Sequence, residues 1–251
     1  MKYIKDNWKF LLFIIIVGII GVVFTVIYSL NMVSEEVMNE AIKQVGSKEA
    51  VFVISMIQPI ILYVFVCGIL GVILSNKVGL WKKIEFEKDK VLIASIIAVV
   101  AGLSLIFCDL LIFGKFNEII MHSFDEKPTY DYIISAFLYG GVVEEVMMRL
   151  FLMSLLSFIM YKIFYKKEKE VPIKVFVIAN IISALLFAAG HLPSTIQTFG
   201  HLDSVLLIRC FLLNGLFGAA FGWLYRKYGI HYSMIAHAFC HIVSKGIWLI
   251  L

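Results

Sequence analysis

Long, uninterrupted apolar runs constrain this chain more than any other feature of its sequence. Seven runs are long enough to cross a bilayer: 10–33, 51–75, 91–113, 132–163, 173–190, 204–225 and 231–251. About twenty apolar residues in an α-helix span the hydrocarbon core, where the backbone must satisfy its own hydrogen bonds. Hydrophobic residues make up 61% of the chain. The sequence therefore predicts an all-α fold, a polytopic transmembrane helix bundle of about seven spans.

The positive charges indicate how this bundle is oriented. Lys and Arg between the runs and at their ends number 15 on the side of the N-terminus and 4 on the other side. By the positive-inside rule, we expect a cytoplasmic N-terminus in an integral membrane protein surrounded by the lipid bilayer. The net charge of +4 is spread over short segments and forms no concentrated basic patch, so no nucleic acid partner is expected.

The fourth run contains three ionisable residues within the stretch GGVVEEVMMRLF. A charge near the bilayer centre costs about 2.5–3.5 kcal/mol, so Glu144, Glu145 and Arg149 all need partners. Glu145 and Arg149 are four residues apart with the glutamate first, which is the favourable order for an ion pair on a helix. Glu144 points about 100° away from Glu145 and has no such partner. The other intramembrane charges lie nearer the run ends, where snorkelling or a local pair accounts for them: Asp109, Arg209 and Lys245.

Two later runs supply histidines that could meet Glu144. The stretch FAAGH places Phe187 and His191 on one helical face, and HAFCH does the same for His237 and His241. Ionisable groups gathered from several membrane helices are functional by default. We therefore expect Glu144 and these three histidines to converge in the bundle interior. The remaining histidines are expected in loops, without such a role: His122, His201 and His231.

This set of residues is suited to activating water. A carboxylate among apolar helices can act as a general base, which makes Glu144 the candidate base and His191 the candidate to hold the water. His237 and His241 are candidate donors to the oxyanion. The same four residues are also possible zinc ligands, and zinc would lower the pKa of its bound water. The sequence leaves a metal-free and a zinc-dependent reaction open, so the expected cofactor is either none or zinc.

The segments EEVMMR, FAAGH and HAFCH, in this order on successive apolar helices, resemble the motifs of one family. They are similar to EExxxR, FxxxH and HxxxN of the CPBP family, the CAAX proteases and bacteriocin-processing enzymes also called the Abi family. The likeness covers about residues 130–250. Within a single integrated membrane domain, 131–251 would form the CPBP-like catalytic core, whereas 1–130, with spans one to three, contains no mapped motif. His241 stands where the family often has asparagine.

The resemblance implies an intramembrane endopeptidase in which Glu144 activates water, His191 is the second catalytic group and His237 lies on the oxyanion side. The motif neighbours would support them: Glu145, Arg149 and Phe187. Eukaryotic relatives trim the last three residues from prenylated CAAX proteins, whereas many bacterial relatives are associated with bacteriocin or pheromone peptides and self-immunity. The Lys- and Ile-rich usage favours a bacterial cytoplasmic membrane. A membrane-associated peptide or protein is the expected substrate, with a peptide preferred over a prenylated protein.

Two other classes of protein compete with this interpretation. A non-catalytic membrane protein that confers immunity or acts as a scaffold could use the same polar cluster only to hold its helices together. A proton-coupled transporter would be favoured by inverted repeats with broken helices, which the sequence does not contain. Replacement of Glu144 separates the peptidase from the scaffold, because only catalysis requires that carboxylate.

Overall fold

The computed structural model describes residues 2–251, and these form helices joined by short connections, with no strand among them. The principal helices are α1 (Trp8–Asn31), α2 (Glu35–Val45), α3 (Lys48–Val78), α4 (Lys88–Leu111), α5 (130–164), α6 (Ile173–Gly190), α7 (Leu192–Phe199), α8 (Ser204–Tyr228) and α9 (Ile230–Ile250). Shorter helical segments lie at Lys2–Asp6, Phe113–Lys115, Glu118–Met121 and His122–Phe124. The predicted all-α fold is confirmed.

The helices also confirm a polytopic membrane protein. Six of them are long and apolar enough to cross a bilayer by length and composition: α1, α3, α4, α6 continued by α7, α8 and α9. They coincide with six of the seven predicted runs. The remaining run corresponds to α5, which is helical throughout but carries Glu144, Glu145 and Arg149 near its middle.

The distribution of side chains is that of a protein in lipid. Large apolar side chains such as Ile16, Ile61 and Leu92 are exposed on the outer surface, whereas Glu145 and Arg149 are fully buried. In water this arrangement would be unfavourable, but lipid tails are as apolar as the exposed side chains. The polar groups are therefore located inside the bundle.

Helix α5 lies at the centre of the bundle. It packs against α1, α3, α6, α8 and α9. One core cluster joins Ile14 of α1, Val72 of α3 and Leu150 of α5, all of them almost fully buried. Because α5 contacts so many neighbours, residues near its middle can reach groups from several helices.

The backbone of α5 departs from α-helical geometry around its glutamates. Two π-helical segments, Ala136–Glu144 and Val146–Met153, flank Glu145. A π-helix bonds residue i to i+5, which widens each turn and changes the direction of the side chains; such segments often occur at functional sites. The regular α-helical spacing used to interpret the sequence therefore does not describe this region.

The connection between α3 and α4 is held against the start of α9. The hydroxyl of Tyr232 donates to the carbonyl of Glu85 at 2.8 Å and accepts from the backbone N–H of Glu87 at 2.8 Å. Nε2 of His231 lies 3.0 Å from the same carbonyl. His231 is thus buried in the first turn of α9, and its predicted position in a loop is wrong.

Two glycines let α5 approach α9 closely. A Cβ on Gly141 would lie 2.5 Å from the Cβ and 2.8 Å from the Cα of Ala238, and a Cβ on Gly140 would lie 2.7 Å from Nε2 of His241. Only a residue without a side chain fits such a contact. The close approach brings the glutamates of α5 to the histidines of α9.

We predict that Gly141→Ala lowers the free energy of unfolding by about 1–3 kcal/mol, because the added methyl group must push α9 away from α5. Gly246→Ala is the matched control, since a Cβ there meets no atom within 4 Å. Its free energy of unfolding should be unchanged or about 0.5–1 kcal/mol higher, because alanine favours a helix more than glycine does. Reversible unfolding in mixed micelles measures both values, and equal effects would contradict the close packing.

Candidate active site

A buried ion pair forms the base of the site. Nη1 of Arg149 lies 3.0 Å from Oε1 of Glu145, as the spacing predicts, and the side chains are 1% and 0% exposed. The N–H of Nη1 is not aligned with the oxygen, so this contact is an ion pair rather than a directed hydrogen bond. Removing one member of such a pair is strongly destabilising, because a bare charge would then remain in the apolar interior.

Other helices complete the surroundings of this pair. Nδ1 of His237 donates to Oε1 of Glu145 at 2.8 Å, and the hydroxyl of Ser233 forms a short hydrogen bond with Oε2. Nη2 of Arg149 donates to the carbonyl of Gly218 at 3.0 Å, and its guanidinium lies 4.5 Å from the ring centre of Phe187. Both oxygens of Glu145 are therefore occupied, and the pair connects α5 to α6, α8 and α9.

The neighbouring carboxylate, Glu144, lies in a different environment. It lines a cavity of about 660 Å³, and its side chain is 17% exposed. Within residues 2–251, its nearest ionisable partner is Nε2 of His237, 3.9 Å from Oε2, and no hydrogen bond reaches the carboxylate. The two adjacent glutamates thus differ in their contacts: both oxygens of Glu145 contact other side chains, whereas the carboxylate of Glu144 faces the cavity without a hydrogen bond among residues 2–251.

His191 lies between the last residue of α6 and the first residue of α7. Its Nδ1 lies 2.8 Å from the carbonyl of Phe187; because a carbonyl only accepts, Nδ1 carries the proton. In the neutral ring, Nε2 is then left with its lone pair. The backbone carbonyl of His191 accepts hydrogen bonds from the hydroxyls of Ser194 and Thr195, each at 2.9 Å. The contact at Nδ1 orients the ring, and the two hydroxyls hold the backbone of His191, at the wall of the cavity.

His237 lies between the two glutamates. Because Glu145 occupies Nδ1, Nε2 is the atom that faces Glu144 and the cavity, and it can donate only when the ring is an imidazolium. The ring stacks on Phe221 with centroids 4.7 Å apart and an interplanar angle of 23°. The neighbouring ring of His241 has its centroid 5.0 Å away, and its buried Nδ1 has no hydrogen-bond partner among residues 2–251.

All four predicted catalytic residues line the same cavity: Glu144, His191, His237 and His241. The predicted supporting residues lie around it, with Phe187 in its wall and the pair of Glu145 and Arg149 behind it. The sequence interpretation missed Ser233, the hydroxyl partner of Glu145. A signal for it existed, since Ser233 lies four residues before His237 on the same face of α9.

The positions of the nitrogen and oxygen atoms around the cavity show whether these side chains could hold a zinc ion. The two histidines whose Nδ1 atoms bond to protein acceptors leave Nε2 free, an arrangement that zinc-binding histidines share. However, among residues 2–251 no three side chains of His, Cys, Asp or Glu are grouped so that they could hold a metal ion. The arrangement described by the structure therefore does not fit a bound zinc ion, and zinc dependence stays a prediction.

The fold and this cavity define an integral membrane protein with ionisable groups at an internal site. Residues 128–243 match the model of a family described as type II CAAX prenyl endopeptidase Rce1-like. The match assigns this part of the chain to the CPBP, or Abi, family of CAAX-type intramembrane proteases, and the resemblance seen in the motifs is confirmed. A comparison with curated proteins gave no match, and a comparison with solved structures gave none.

We predict that Arg149→Met lowers the free energy of unfolding by about 3–5 kcal/mol, because Glu145 would then be a buried charge without its cation. Adding Glu145→Gln should restore part of this loss, with a coupling energy of about 1–3 kcal/mol between the two sites. Unfolding of the wild type, both single variants and the double variant in mixed micelles gives the coupling. If the loss in the double variant equalled the sum of the losses in the two single variants, Glu145 and Arg149 would not stabilise each other, and the ion pair would be contradicted.

Proposed function

We propose that this protein is an intramembrane endopeptidase that hydrolyses a peptide bond in a membrane-associated peptide or protein, with water activated by Glu144 and His191. The main support for the proposal is the difference between the contacts of the two adjacent glutamates. Of the two adjacent glutamates, Glu144 lines the cavity without a hydrogen-bond partner among residues 2–251, whereas Glu145 is saturated by contacts. A carboxylate left without such contacts in a largely apolar cavity is available to take a proton from water.

The reaction uses three groups in this proposal. Glu144 accepts a proton from water while Nε2 of His191 accepts a hydrogen bond from the same molecule and holds it in place. The water oxygen bonds to the substrate carbonyl carbon, and the resulting tetrahedral intermediate collapses with cleavage of the C–N bond. The proton held by Glu144 passes to the leaving nitrogen, so that the products are a carboxylic acid and an amine and no covalent enzyme intermediate forms.

His237 supplies the charge that the intermediate needs. As an imidazolium it donates from Nδ1 to Glu145 and from Nε2 toward the cavity, where it stabilises the oxyanion. In this state the two glutamates, Arg149 and His237 together carry no net charge, which suits a site inside the bilayer. His241, on the next turn of α9, is the second candidate donor to the oxyanion.

The substrate proposed here is a membrane-delivered peptide, in bacteriocin or pheromone processing or in self-immunity, at a bacterial cytoplasmic membrane with a cytoplasmic N-terminus. Support comes from the bacterial relatives that the motif resemblance implies, and from a cavity of about 660 Å³, a size suited to a short segment of peptide.

The non-catalytic scaffold explains the site less well. A polar cluster that only joined helices would pair its charges as fully as possible, which is the case for Glu145 but not for Glu144. The distance of 3.9 Å to His237 makes Glu144 a weak structural contact, so its carboxylate contributes little to holding the helices together.

We predict that Glu144→Gln reduces peptide cleavage by roughly 100- to 10,000-fold, the range that a general base contributes, while the protein stays folded. Glutamine has nearly the same shape but cannot take the proton from water. The control is Glu168→Gln, an exposed position in the connection between α5 and α6, which should cleave at the wild-type rate. Retained cleavage in Glu144→Gln would contradict the proposal.

A second test concerns the metal. Because the described side chains offer no group of three ligands, we expect cleavage to survive prolonged treatment with a zinc chelator, and metal analysis of active, purified protein to find far less than one zinc per chain. Loss of activity that zinc restores, together with zinc bound by the wild type and not by His191→Ala, would establish the zinc-dependent alternative.

A further inference from the structure

Neighbouring helices of the bundle run in opposite directions. Asn31, the last residue of α1, donates to Asp131 at the start of α5 at 3.4 Å. Lys245, near the end of α9, donates to the hydroxyl of the adjacent Tyr132 at 2.9 Å, so α5 is antiparallel to both α1 and α9. Because the start of α9 contacts the connection that precedes α4, the helices α1, α4 and α9 all begin at one face, together with the N-terminus. We call this the N-terminal face and the opposite one the distal face.

The cavity that contains Glu144 reaches the distal face. Its lining residues on α1 lie within 25–32 and those on α4 within 105–109, at the ends of these helices. Helix α6 begins at the N-terminal face after the connection from α5, and its lining residues lie within 186–190, its last turn. The wall continues beyond α6 with residues of α7 such as Gln197. The cavity therefore opens where α1, α4 and α6 end.

The half of the bundle next to the N-terminal face is densely packed. One core cluster joins buried side chains from four helices: Leu11, Met153, Tyr225 and Met234. None of these four side chains lines the cavity. The hydroxyls of Tyr225 and Ser154 also share a hydrogen bond of 2.8 Å. Side chains packed in this way exclude a peptide, so the floor of the cavity separates the site from the N-terminal face.

Two basic side chains lie in the wall between the site and the distal face, Arg209 and Lys245. Nε and Nη2 of Arg209 donate to the two carboxylate oxygens of Asp109 at 2.6 and 2.5 Å, which confirms the local pair expected near these span ends. Lys245 is only 9% exposed, and its Nζ lies 4.4 Å from the ring centre of Tyr132. The snorkelling expected of Lys245 is therefore wrong. Both cations are inside the bundle, so neither adds to the surface charge of the distal face.

The surface charges of the two faces are unequal. The N-terminal face has 15 Lys and Arg, which lie in the N-terminal segment, in the three connections α3–α4, α5–α6 and α8–α9, and in the helix ends beside them, whereas the distal face has 4. The antiparallel packing of α5 assigns each connection to its face. Lys and Arg in short connections are retained on the cytoplasmic side when membrane helices insert. This distribution favours an N-terminal face in the cytoplasm and a distal face outside it.

We propose that the active site opens on the extracytoplasmic face of the membrane and that the peptides it cleaves have already been exported. This proposal rests on the proposed peptidase function and adds the side from which the substrate enters. A peptide made in the cytoplasm carries charged termini, which do not cross the apolar core unaided. A translocation reaction, catalysed by a transporter or a secretion pathway, must therefore supply the substrate before hydrolysis.

The first test measures access to the cavity without turnover. Asn214→Cys places a thiol in the cavity wall and Gln197→Cys places one near the opening. Lys167→Cys is the matched control, at an exposed position in the connection between α5 and α6. Each full-length variant is expressed in a bacterial host, and spheroplasts and inverted membrane vesicles are treated with a sulfonated maleimide, whose charge keeps it from crossing the bilayer. The labelling of the unaltered chain, which has four cysteines, is subtracted.

We expect Asn214→Cys and Gln197→Cys to be labelled in spheroplasts, with complete loss of labelling in inverted vesicles, and Lys167→Cys to give the reverse. Labelling of Asn214→Cys only in inverted vesicles, or in neither preparation, would overturn the proposal. If Asn214→Cys does not fold, Gln197→Cys and Ser29→Cys decide, because Ser29 lines the cavity from α1.

The second test supplies substrate to one side of the membrane. A quenched fluorescent peptide of Leu, Val and Ala, with a sulfonated dye that prevents its passage, is added to spheroplasts and to inverted vesicles that contain the wild-type protein. We expect hydrolysis in spheroplasts only, and its loss in Glu144→Gln. Hydrolysis confined to inverted vesicles would overturn this proposal and leave the peptidase proposal intact. Hydrolysis in neither preparation counts against the peptidase proposal, whereas the labelling still decides the face.

Discussion

The ion pair between Glu145 and Arg149 is the interaction on which the rest of this site depends. Two charges in an apolar bundle must be paired and hydrogen-bonded, and here the pair draws partners from the surrounding helices. Arg149 binds the carbonyl of Gly218 on α8, while Glu145 binds Ser233 and His237 on α9. The pair therefore fixes the arrangement of the helices that form the cavity wall.

Glu145 neutralises Arg149 and accepts from His237, whereas the adjacent Glu144 makes no hydrogen bond among residues 2–251 and faces the cavity. His191, held through its Nδ1 by the carbonyl of Phe187, contributes a ring nitrogen without a proton in its neutral form. The carboxylate of Glu144, the unprotonated nitrogen of His191 and Nε2 of His237 thus face one cavity, and the proposed hydrolysis depends on this arrangement.

Much of this could be predicted from the sequence, because the relevant patterns are local. The apolar runs specify membrane helices whatever their packing, and the spacing of Glu145 and Arg149 specifies their pairing within one helix. The histidines His237 and His241 also lie only four residues apart, which places them on one face of α9. The three motifs were sufficient to find the family, since each one is a short stretch of neighbouring residues whose spacing can be read from the sequence alone.

The rest depends on distances between helices, which the sequence does not state. The π-helical segments around Glu145 change the direction of both glutamate side chains, and no pattern in the sequence predicts these segments. Whether His237 presents Nδ1 or Nε2 to the cavity was decided by the approach of α9 to α5. Lys245 has the sequence position of a snorkelling lysine, yet Tyr132 from α5 binds it inside the bundle.

The division of labour between the adjacent glutamates is the central claim, and a comparison of Glu144→Gln with Glu145→Gln tests it most directly. Both substitutions remove one negative charge with little change of shape, one residue apart. The free energy of unfolding in mixed micelles should match the wild type for Glu144→Gln and fall by about 3–5 kcal/mol for Glu145→Gln, which leaves Arg149 without its partner. Equal losses in the two variants, or a larger loss for Glu144→Gln, would contradict this account.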